Sequence, residues 1–206
     1  MFTVVEHPCI SAKLTILRDK NTPHHEFRCC AGEITKFIAY EALKNIELED
    51  VKIETPLEPM IGKKVKNEMI LIPILRAGLG MTDAVLDLIP TARTGFIGLY
   101  RAEDHETIVE YFCKLPDHDE NALAIIVDPM LATGHSLVAA IDMIKKDGFK
   151  KIIAITILSA PEGVKEVQEK HPDVKLYTGV LDRSLNENNY ILPGLGDAGD
   201  RIFGTK

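Results

Sequence analysis

The chain has 206 residues, of which 46% are hydrophobic and 27% charged, and its formal net charge is −7. This size and composition predict one soluble globular domain over residues 1–206, and the chain contains neither a run of about 18 apolar residues nor a signal peptide, so a cytoplasmic location without membrane attachment is expected. The acidic balance argues against nucleic acid as a partner, because binding to its backbone needs clustered Lys and Arg.

The N-terminal part, residues 1–68, combines a helix with an extended segment. A strong helical periodicity runs from Phe27 to Ala42. Pro56 and Pro59 then interrupt a stretch that is expected to be extended rather than helical.

Strands and helices alternate between residues 69 and 182. Continuous runs of Val, Ile and Leu are typical of parallel strands that are covered on both faces, so the pattern indicates a doubly wound α/β fold with ligands at the carboxyl ends of the strands. The predicted strands are Met69 to Leu75, Thr94 to Tyr100, Leu123 to Asp128, Lys151 to Leu158 and Val174 to Leu181. The predicted helices are Leu79 to Ile89, Ser136 to Lys146, with Gly148 as its C-cap, and Pro161 to Lys170.

Two segments interrupt or follow this alternation. Residues 101–118 are polar at first and then alternate, which predicts a projecting hairpin, or flap. Residues 183–206 are rich in glycine, which would suit a disordered end, but apolar residues are interleaved with the glycines. An ordered loop that brings its backbone close to a ligand is therefore the better interpretation.

The segment from Asp128 to Ser136 carries the clearest chemical signal. An apolar strand ends in a single carboxylate, and a short loop with Thr133, Gly134 and Ser136 then leads into a helix. The N-terminus of a helix offers unpaired N–H groups and a favourable field to an anion, and a carboxylate accepts hydrogen bonds from sugar hydroxyls. The motif thus indicates a ribose phosphate. The alternative is an ordinary strand-to-helix turn in which Thr133 or Ser136 caps the helix.

A second loop, from Arg76 to Gly80, also follows a predicted strand. Its two glycines, Gly78 and Gly80, would let backbone amides turn toward an anion, and Arg76 offers a planar fork that matches phosphate oxygens. Arg101 ends the next strand and could meet the same ligand. Both arginines could instead be solvated surface charges.

The third segment, from Pro193 to Arg201, places glycines beside Asp197 and Asp200. Backbone donors and acceptors beside a fixed carboxylate could bind the polar edge of a flat heterocycle. The alternative is that both aspartates simply form turns within their own loop.

These three segments, in this order, resemble the uracil phosphoribosyltransferase family. The resemblance rests on Pro73-Ile-Leu-Arg-Ala-Gly-Leu-Gly-Met81, Val127-Asp-Pro-Met-Leu-Ala-Thr-Gly134 and Tyr190-Ile-Leu-Pro-Gly-Leu-Gly-Asp-Ala-Gly-Asp-Arg201, and weaker similarity covers essentially the whole chain. It implies a phosphoribosyltransferase-type parallel sheet flanked by helices, with a β-hairpin flap and a C-terminal uracil-binding loop. It also implies transfer of the 5-phosphoribosyl group of phosphoribosyl diphosphate (PRPP) to N1 of uracil, which gives UMP and diphosphate.

The resemblance also implies roles for individual residues. Catalysis would depend on Asp128, Asp197, Arg76 and Arg101, and uracil would be bound by Tyr190, Ile191, Gly196, Asp197 and Ala198. The implied PRPP site contains Arg76, Arg101, Asp128, Pro129, Met130, Leu131, Ala132, Thr133, Gly134, His135, Ser136 and Asp197. Mg²⁺ would be held mainly by PRPP and water, with Asp197 as a possible protein ligand. A GTP effector and at least a homodimer are further expectations.

One position departs from the family pattern. His135 lies in the segment from Asp128 to Ser136, which we call the phosphate loop, at a position where a small residue, usually glycine, is expected. Its side chain would obstruct the phosphate if the backbone there needed a positive φ, or it could donate a hydrogen bond to the phosphate. Two rivals to the enzyme are a regulatory protein of the same fold that binds PRPP or a nucleotide, and a nucleotide sensor whose flap binds partners.

Overall fold

The structure is a computed structural model that describes residues 1–101 and 108–205, with Arg101 described by its backbone alone. The strands are β1 Phe2–Val4, β2 Leu48–Glu54, β3 Pro59–Val65, β4 Met69–Leu75, β5 Arg93–Thr94, β6 Phe96–Arg101, β7 Ile108–Lys114, β8 Leu123–Val127, β9 Met130–Leu131, β10 Lys151–Ser159, β11 Lys175–Leu181, β12 Ser184–Leu185 and β13 Ile191–Leu192. The main sheet has the strand order β1-β11-β10-β8-β4-β6-β7, in which all neighbours are parallel except β6 and β7. The helices are α1 Pro8–Arg18, α2 His24–Ala42, α3 Leu79–Leu88, α4 His135–Asp147, α5 Pro161–Lys170 and α6 Ala198–Phe203.

Helices cover both faces of this sheet, as the doubly wound prediction requires. Successive residues of a strand point to opposite faces, so Leu71 packs with α1, α2 and α3, whereas Ile70 and Ile72 pack with α4 and α5. Both faces of β4 are therefore buried, which explains why its sequence is continuously apolar rather than alternating.

Several predicted boundaries move by a few residues. The helix predicted from Phe27 begins at His24, and the strand predicted from Thr94 to Tyr100 is divided into β5 and β6. The sequence analysis missed β1 and α1. Helix α1 buries only Ile10, Leu14 and Leu17, and so narrow an apolar stripe gives a weak periodic signal.

Two hairpins extend from the sheet. The extended stretch around Pro56 and Pro59 is the antiparallel pair β2–β3, which we call the arm (residues 48–65). The predicted flap is confirmed at its base, where β6 and β7 pair in antiparallel register, and its tip, residues 102–107, lies outside the described residues. Within the described chain, no helix is long and apolar enough to cross a membrane.

Candidate active site

The predicted anion loops lie side by side because β4 and β8 are neighbours in the sheet. Residues Arg76 to Gly78 follow the carboxyl end of β4, and Asp128 follows that of β8. The amide of Asp128 donates to the carbonyl of Ile155 on β10, over 3.2 Å, which fixes its backbone at the sheet edge. Arg76 and Asp128 are thus brought to one edge from positions 52 residues apart.

Gly78 permits this close approach. A Cβ on Gly78 would lie 2.5 Å from the carbonyl oxygen of Val127 and 2.7 Å from that of Ile74, and neither atom can move away cheaply. Gly78 has φ −58°, so its glycine is required for packing and not for an unusual backbone angle. Gly80 likewise faces Ile202 of α6, whose side chain would lie 2.8 Å from an added Cβ.

The phosphate loop begins as a continuation of the sheet. Strand β9 pairs with β10, the carbonyl of Pro129 accepts from the amides of Ile157 and Leu158, and the carbonyl of Leu131 accepts from that of Ala160. Pro129 and Leu131 are both buried. Their buried side chains and their carbonyls therefore position the loop against the core and β10, and their contact with PRPP stays a prediction.

The loop ends in a left-handed turn at Gly134, where φ is +89°. Helix α4 starts at the next residue, His135, one position earlier than predicted, so the positive φ falls on the glycine and not on the histidine. A side chain at position 135 therefore causes no backbone strain. The N-terminal amides of α4, from residues 134 to 137, begin at this loop, as an anion site requires.

Helix α5 supports the phosphate loop from behind. A Cβ on Gly163 would lie 2.4 Å from the carbonyl oxygen of Ala132, so only glycine allows the loop and the helix to touch. Glu166 lies beside Gly134, and a hydrogen bond from Lys170, with a smaller contribution from His135, lowers the pKa of the Glu166 carboxyl. His135 Nδ1 is buried without a hydrogen-bond partner among the described residues.

The C-terminal segment forms a cavity with this loop. Strands β12 and β13 pair, and short helix α6 follows. The cavity has a volume of about 340 Å³, and all five residues predicted to bind uracil line it together with two from the phosphate loop and two asparagines. The lining residues are Met130, Ala132, Asn188, Asn189, Tyr190, Ile191, Gly196, Asp197 and Ala198.

A second cavity, of about 420 Å³, lies between the Arg76 loop and the flap. Its residues are Leu75, Arg76, Ala77, Leu99, Tyr100, Tyr111, Asp197 and Gly199. Tyr111 lies against Gly98 of the neighbouring strand, where an added Cβ would be 2.6 Å from the ring. The flap thus contributes an aromatic wall to this cavity. The side chain of Arg101 lies outside the described residues.

Asp197 belongs to both cavities. Its Oδ1 accepts from the amide of Asp200, 2.9 Å away, so it also caps α6, which is the turn-forming role that the sequence left open. Asp200 Oδ1 lies 3.7 Å from Nη2 of Arg76, and this contact links the C-terminal segment to the loop from Arg76 to Gly80.

The sequence analysis missed several residues of this region. Asn188, Asn189 and Tyr111 line the cavities, and Arg18, Asp182 and Arg201 hold the C-terminal segment in place. No local motif marks an arginine whose partners are backbone carbonyls more than 170 residues away. The Asn186-to-Asn189 run before Tyr190 was the available signal for the asparagines, because clustered Asn is typical of turns.

Known proteins resemble the chain over its full length. The family model described as uracil phosphoribosyltransferase matches residues 4–205. A uracil phosphoribosyltransferase of Ligilactobacillus salivarius is 52% identical over 206 residues, covering 100% of this chain and 99% of the relative. One of Thermosipho africanus is 51% identical over 204 residues, covering 98% of each chain.

Solved structures agree with the fold. A protein from Aquifex aeolicus has a TM-score of 0.95 at 35% identity and covers 100% of this chain and 99% of its own. An adenine phosphoribosyl transferase from Trypanosoma brucei, solved in complex with AMP, pyrophosphate and ribose-5-phosphate, has a TM-score of 0.62 at 12% identity and covers 95% and 88%. That second likeness concerns the fold alone. With two cavities that share Asp197 and a family match over residues 4–205, the chain belongs to the uracil phosphoribosyltransferase family.

Proposed function

We propose that Asp128, Arg76, Arg101 and Asp197 carry the uracil phosphoribosyl transfer of this family. The reaction moves the 5-phosphoribosyl group of PRPP to N1 of uracil and releases diphosphate, a step of pyrimidine salvage. The relatives' names and the family match support the reaction. They give no support to the regulatory protein or the nucleotide sensor considered as alternatives.

The shared position of Asp197 is the observation that carries the assignment. With uracil in the first cavity and diphosphate in the second, the ribose between them would face Asp197 and the edge at Asp128. The attacking nitrogen and the leaving group would then lie on opposite sides of the anomeric carbon. Such alignment removes much of the entropic part of the barrier.

The chemistry suits electrostatic catalysis without a protein nucleophile. Loss of diphosphate builds positive charge on the ribose, as in glycoside cleavage, and Asp128 would stabilise it while accepting hydrogen bonds from the hydroxyls. Arg76, whose side chain is 60% exposed and therefore accessible, would neutralise the leaving diphosphate together with Arg101.

Thr133 to Ser136 would bind the 5-phosphate through the amides at the start of α4. The left-handed turn at Gly134 supports this, because it presents consecutive amides to one point before the helix begins. Met130 and Ala132 would then lie between the phosphate and the base, since they line the first cavity.

Mg²⁺ fits this site as a cation carried by PRPP. No group of three or more His, Cys, Asp or Glu that could hold a metal occurs among the described residues, while Asp197 and Asp200 supply hard carboxylate oxygens beside the second cavity. Mg²⁺ needs few protein ligands when diphosphate and water supply the rest, and it would neutralise leaving-group charge. Asp197 is the protein ligand that we expect.

The flap would limit the access of water to PRPP. Tyr100 and Tyr111 of its described strands line the second cavity, and each residue is about half exposed. Closure over the substrate would protect PRPP from hydrolysis.

We also propose that the chain is a homodimer or a larger homo-oligomer joined through the arm. Strands β2 and β3 contribute no residue to the described core, although Ile53, Leu57, Met60 and Ile61 of the arm are apolar. A two-stranded hairpin is marginally stable alone, so these side chains need a second chain to pack against. Residues 1–206 would form one domain in each subunit, located in the cytoplasm, and activation by GTP remains a family-based proposal.

A coupled assay tests the function. Purified chain is incubated with uracil, PRPP and Mg²⁺, with and without GTP, and UMP is measured. Arg76→Ala and Asp197→Asn should each lower kcat/KM by about a hundredfold or more, because the first removes a positive charge that neutralises the leaving diphosphate and the second removes a carboxylate ligand of its Mg²⁺. Asparagine keeps the cap of α6, so that variant tests charge alone.

The matched control is Lys36→Ala, which removes an exposed ion pair with Asp87, and neither residue lines either cavity. It should retain wild-type rates. Absence of UMP with the wild-type chain at enzyme concentrations near those of the substrates would refute the reaction, and wild-type rates in both site variants would refute the residue assignment.

A further inference from the structure

We propose that the ion pair of Arg18 with Asp182 positions the backbone that binds uracil. The pair thereby sets the affinity for uracil rather than the affinity for PRPP. The inference rests on the proposed assignment of uracil to the cavity lined by Tyr190 to Ala198. Neither residue lines that cavity, so both act through the loop they hold.

The pair is bidentate and largely removed from solvent. Nη2 of Arg18 lies 2.6 Å from Oδ1 of Asp182, and Nη1 lies 2.8 Å from Oδ2. The side chain of Asp182 is only 4% exposed. A guanidinium in this geometry is held in one orientation, which a single hydrogen bond would not achieve.

Both groups also bind the peptide of Gly194. Nη1 of Arg18 donates to the carbonyl of Gly194 over 2.8 Å, and the amide of Gly194 donates to Oδ2 of Asp182 over 2.9 Å. The residue has φ +63°, and an added Cβ would lie 2.0 Å from the carbonyl oxygen of Ile191. The ion pair therefore occupies the donor and the acceptor of a residue that only glycine can supply.

A second arginine fixes the next peptide. Nη1 of Arg201 donates to the carbonyl of Leu195 over 2.8 Å and to that of Leu17 over 2.7 Å, and its guanidinium lies 4.4 Å from the ring centre of Phe27. Burial lowers the pKa of Arg201, and Asp19 partly opposes this. Two consecutive carbonyls, of Gly194 and Leu195, are thus held immediately before Gly196 enters the cavity.

The ion pair joins the segment at Gly194 to two elements of the fold, helix α1 and the main sheet. Arg18 is the last residue of α1, and Asp182 directly follows β11 and donates its amide to the carbonyl of Ser159 on β10, over 2.8 Å. A site that binds a base through backbone groups gains affinity when that backbone is held in advance, because binding then orders less chain. Helix α1 consequently serves as the platform of the base site.

The phosphate side of the site is held by other contacts. The loop at residues 129–134 packs on β10 and α5, and these contacts do not involve Gly194 or Leu195. Loosening Gly194 should therefore weaken uracil binding and leave PRPP binding largely intact. This separation distinguishes positioning from a general loss of structure.

The test compares steady-state kinetics of Arg18→Lys, Arg18→Met and Asp182→Asn with the wild type. Lysine cannot bridge the carboxylate and the Gly194 carbonyl in one plane, so we expect all three variants to raise the KM for uracil by about tenfold or more while the KM for PRPP changes less than about threefold. Calorimetric titration with uracil in the presence of diphosphate and ribose 5-phosphate gives a readout that does not depend on turnover.

Ile144→Ala is the control, because Ile144 of α4 belongs to the core cluster on the face of the sheet opposite α1. It should lower the melting temperature and leave the KM for uracil unchanged. An unchanged uracil KM in folded Arg18→Met and Asp182→Asn, an equal rise in both KM values, or an equal effect of Ile144→Ala would each overturn the inference. Failure of the wild type to form UMP would instead count against the proposed function.

Discussion

At the scale of single residues, Gly134 of the phosphate loop takes the positive φ that its neighbour His135 would otherwise need. Gly134 takes the left-handed conformation, with φ +89°, and His135 is the first helical residue after it. The side chain at position 135 is therefore free to vary without backbone strain. We therefore expect the departure from the family pattern at His135 to be tolerated.

Separate substitutions of His135 and Gly134 test this interpretation. His135→Gly should change the KM for PRPP by less than about threefold, whereas Gly134→Ala should raise it by more than about tenfold, because a Cβ there would meet the carbonyl of Gly163 at 2.9 Å and force a strained φ. Steady-state kinetics at saturating uracil measures both. A large gain in PRPP affinity in His135→Gly would show that the imidazole does obstruct the phosphate.

At the scale of elements, the base of the flap is anchored by His118. The ring stacks on Phe149 at 3.6 Å between centroids, with Nδ1 2.9 Å from the carbonyl of Asp119 and Nε2 3.1 Å from the carboxylate of Asp147. Both ring nitrogens face acceptors, so both contacts are hydrogen bonds only when the ring is protonated. Burial opposes the charge, but the hydrogen bonds to Asp119 and Asp147 outweigh it and raise the pKa of His118.

This anchor should weaken as pH rises. Because the folded pKa lies above the unfolded value of about 6.5, the stabilisation is complete below that pH and is lost as pH rises through the folded pKa. Hydrogen exchange at the amides of Asn121 and Ala122, corrected for the intrinsic rate, should show about threefold less protection at pH 8 than at pH 6. His118→Gln, which does not titrate, should abolish the difference, and persistence of it there would contradict the assignment.

A local measurement is needed because another histidine acts in the opposite direction. Burial, and next Lys145, lower the pKa of His171, so its neutral form is favoured in the fold. Its contribution is therefore lost as pH falls below the unfolded value of about 6.5. Global unfolding would mix the two effects.

At the scale of the whole molecule, the exposed apolar residues of the arm are the feature that indicates association with a second chain. Alternation along β2 and β3 places Ile53 and Met60 opposite each other on one face and Ile61 on the other. The face with Ile53 and Met60 also carries Val51 and is the more continuously apolar. We expect it to be the face that meets a second chain.

Sedimentation of two variants tests the arm. The double substitution Ile53→Asp with Met60→Asp should convert a dimer or larger oligomer into a monomer, because it places charges in an apolar contact. Ile61→Asp, the matched change on the opposite face, should leave the oligomer intact. A monomeric wild type, or a double variant that remains associated, would contradict the proposal.

Local sequence signals predicted the sheet and the helices on it well. The buried strand β4 has the bounds predicted for it, as does helix α5 with proline in its first turn, because continuous apolar runs and caps depend on near neighbours. Helix α1 was missed because it buries only three residues, and their burial depends on packing against α2, which the local sequence does not show. The turn at Arg76 was assigned to the right strand end, but the packing reason for Gly78 depends on Val127 of another strand.

The sequence by itself determined the alternation of strands and helices, the carboxylate and hydroxyls of the phosphate loop, and the motifs that resemble the family. All of these are encoded within about ten consecutive residues. Only the tertiary structure decided that Asp197 lies in both cavities, that Pro129 and Leu131 face the core, and that Arg18 and Asp182 hold Gly194. These contacts join residues separated by up to 176 positions, and such pairs form only when the sheet order and the covering helices are in place.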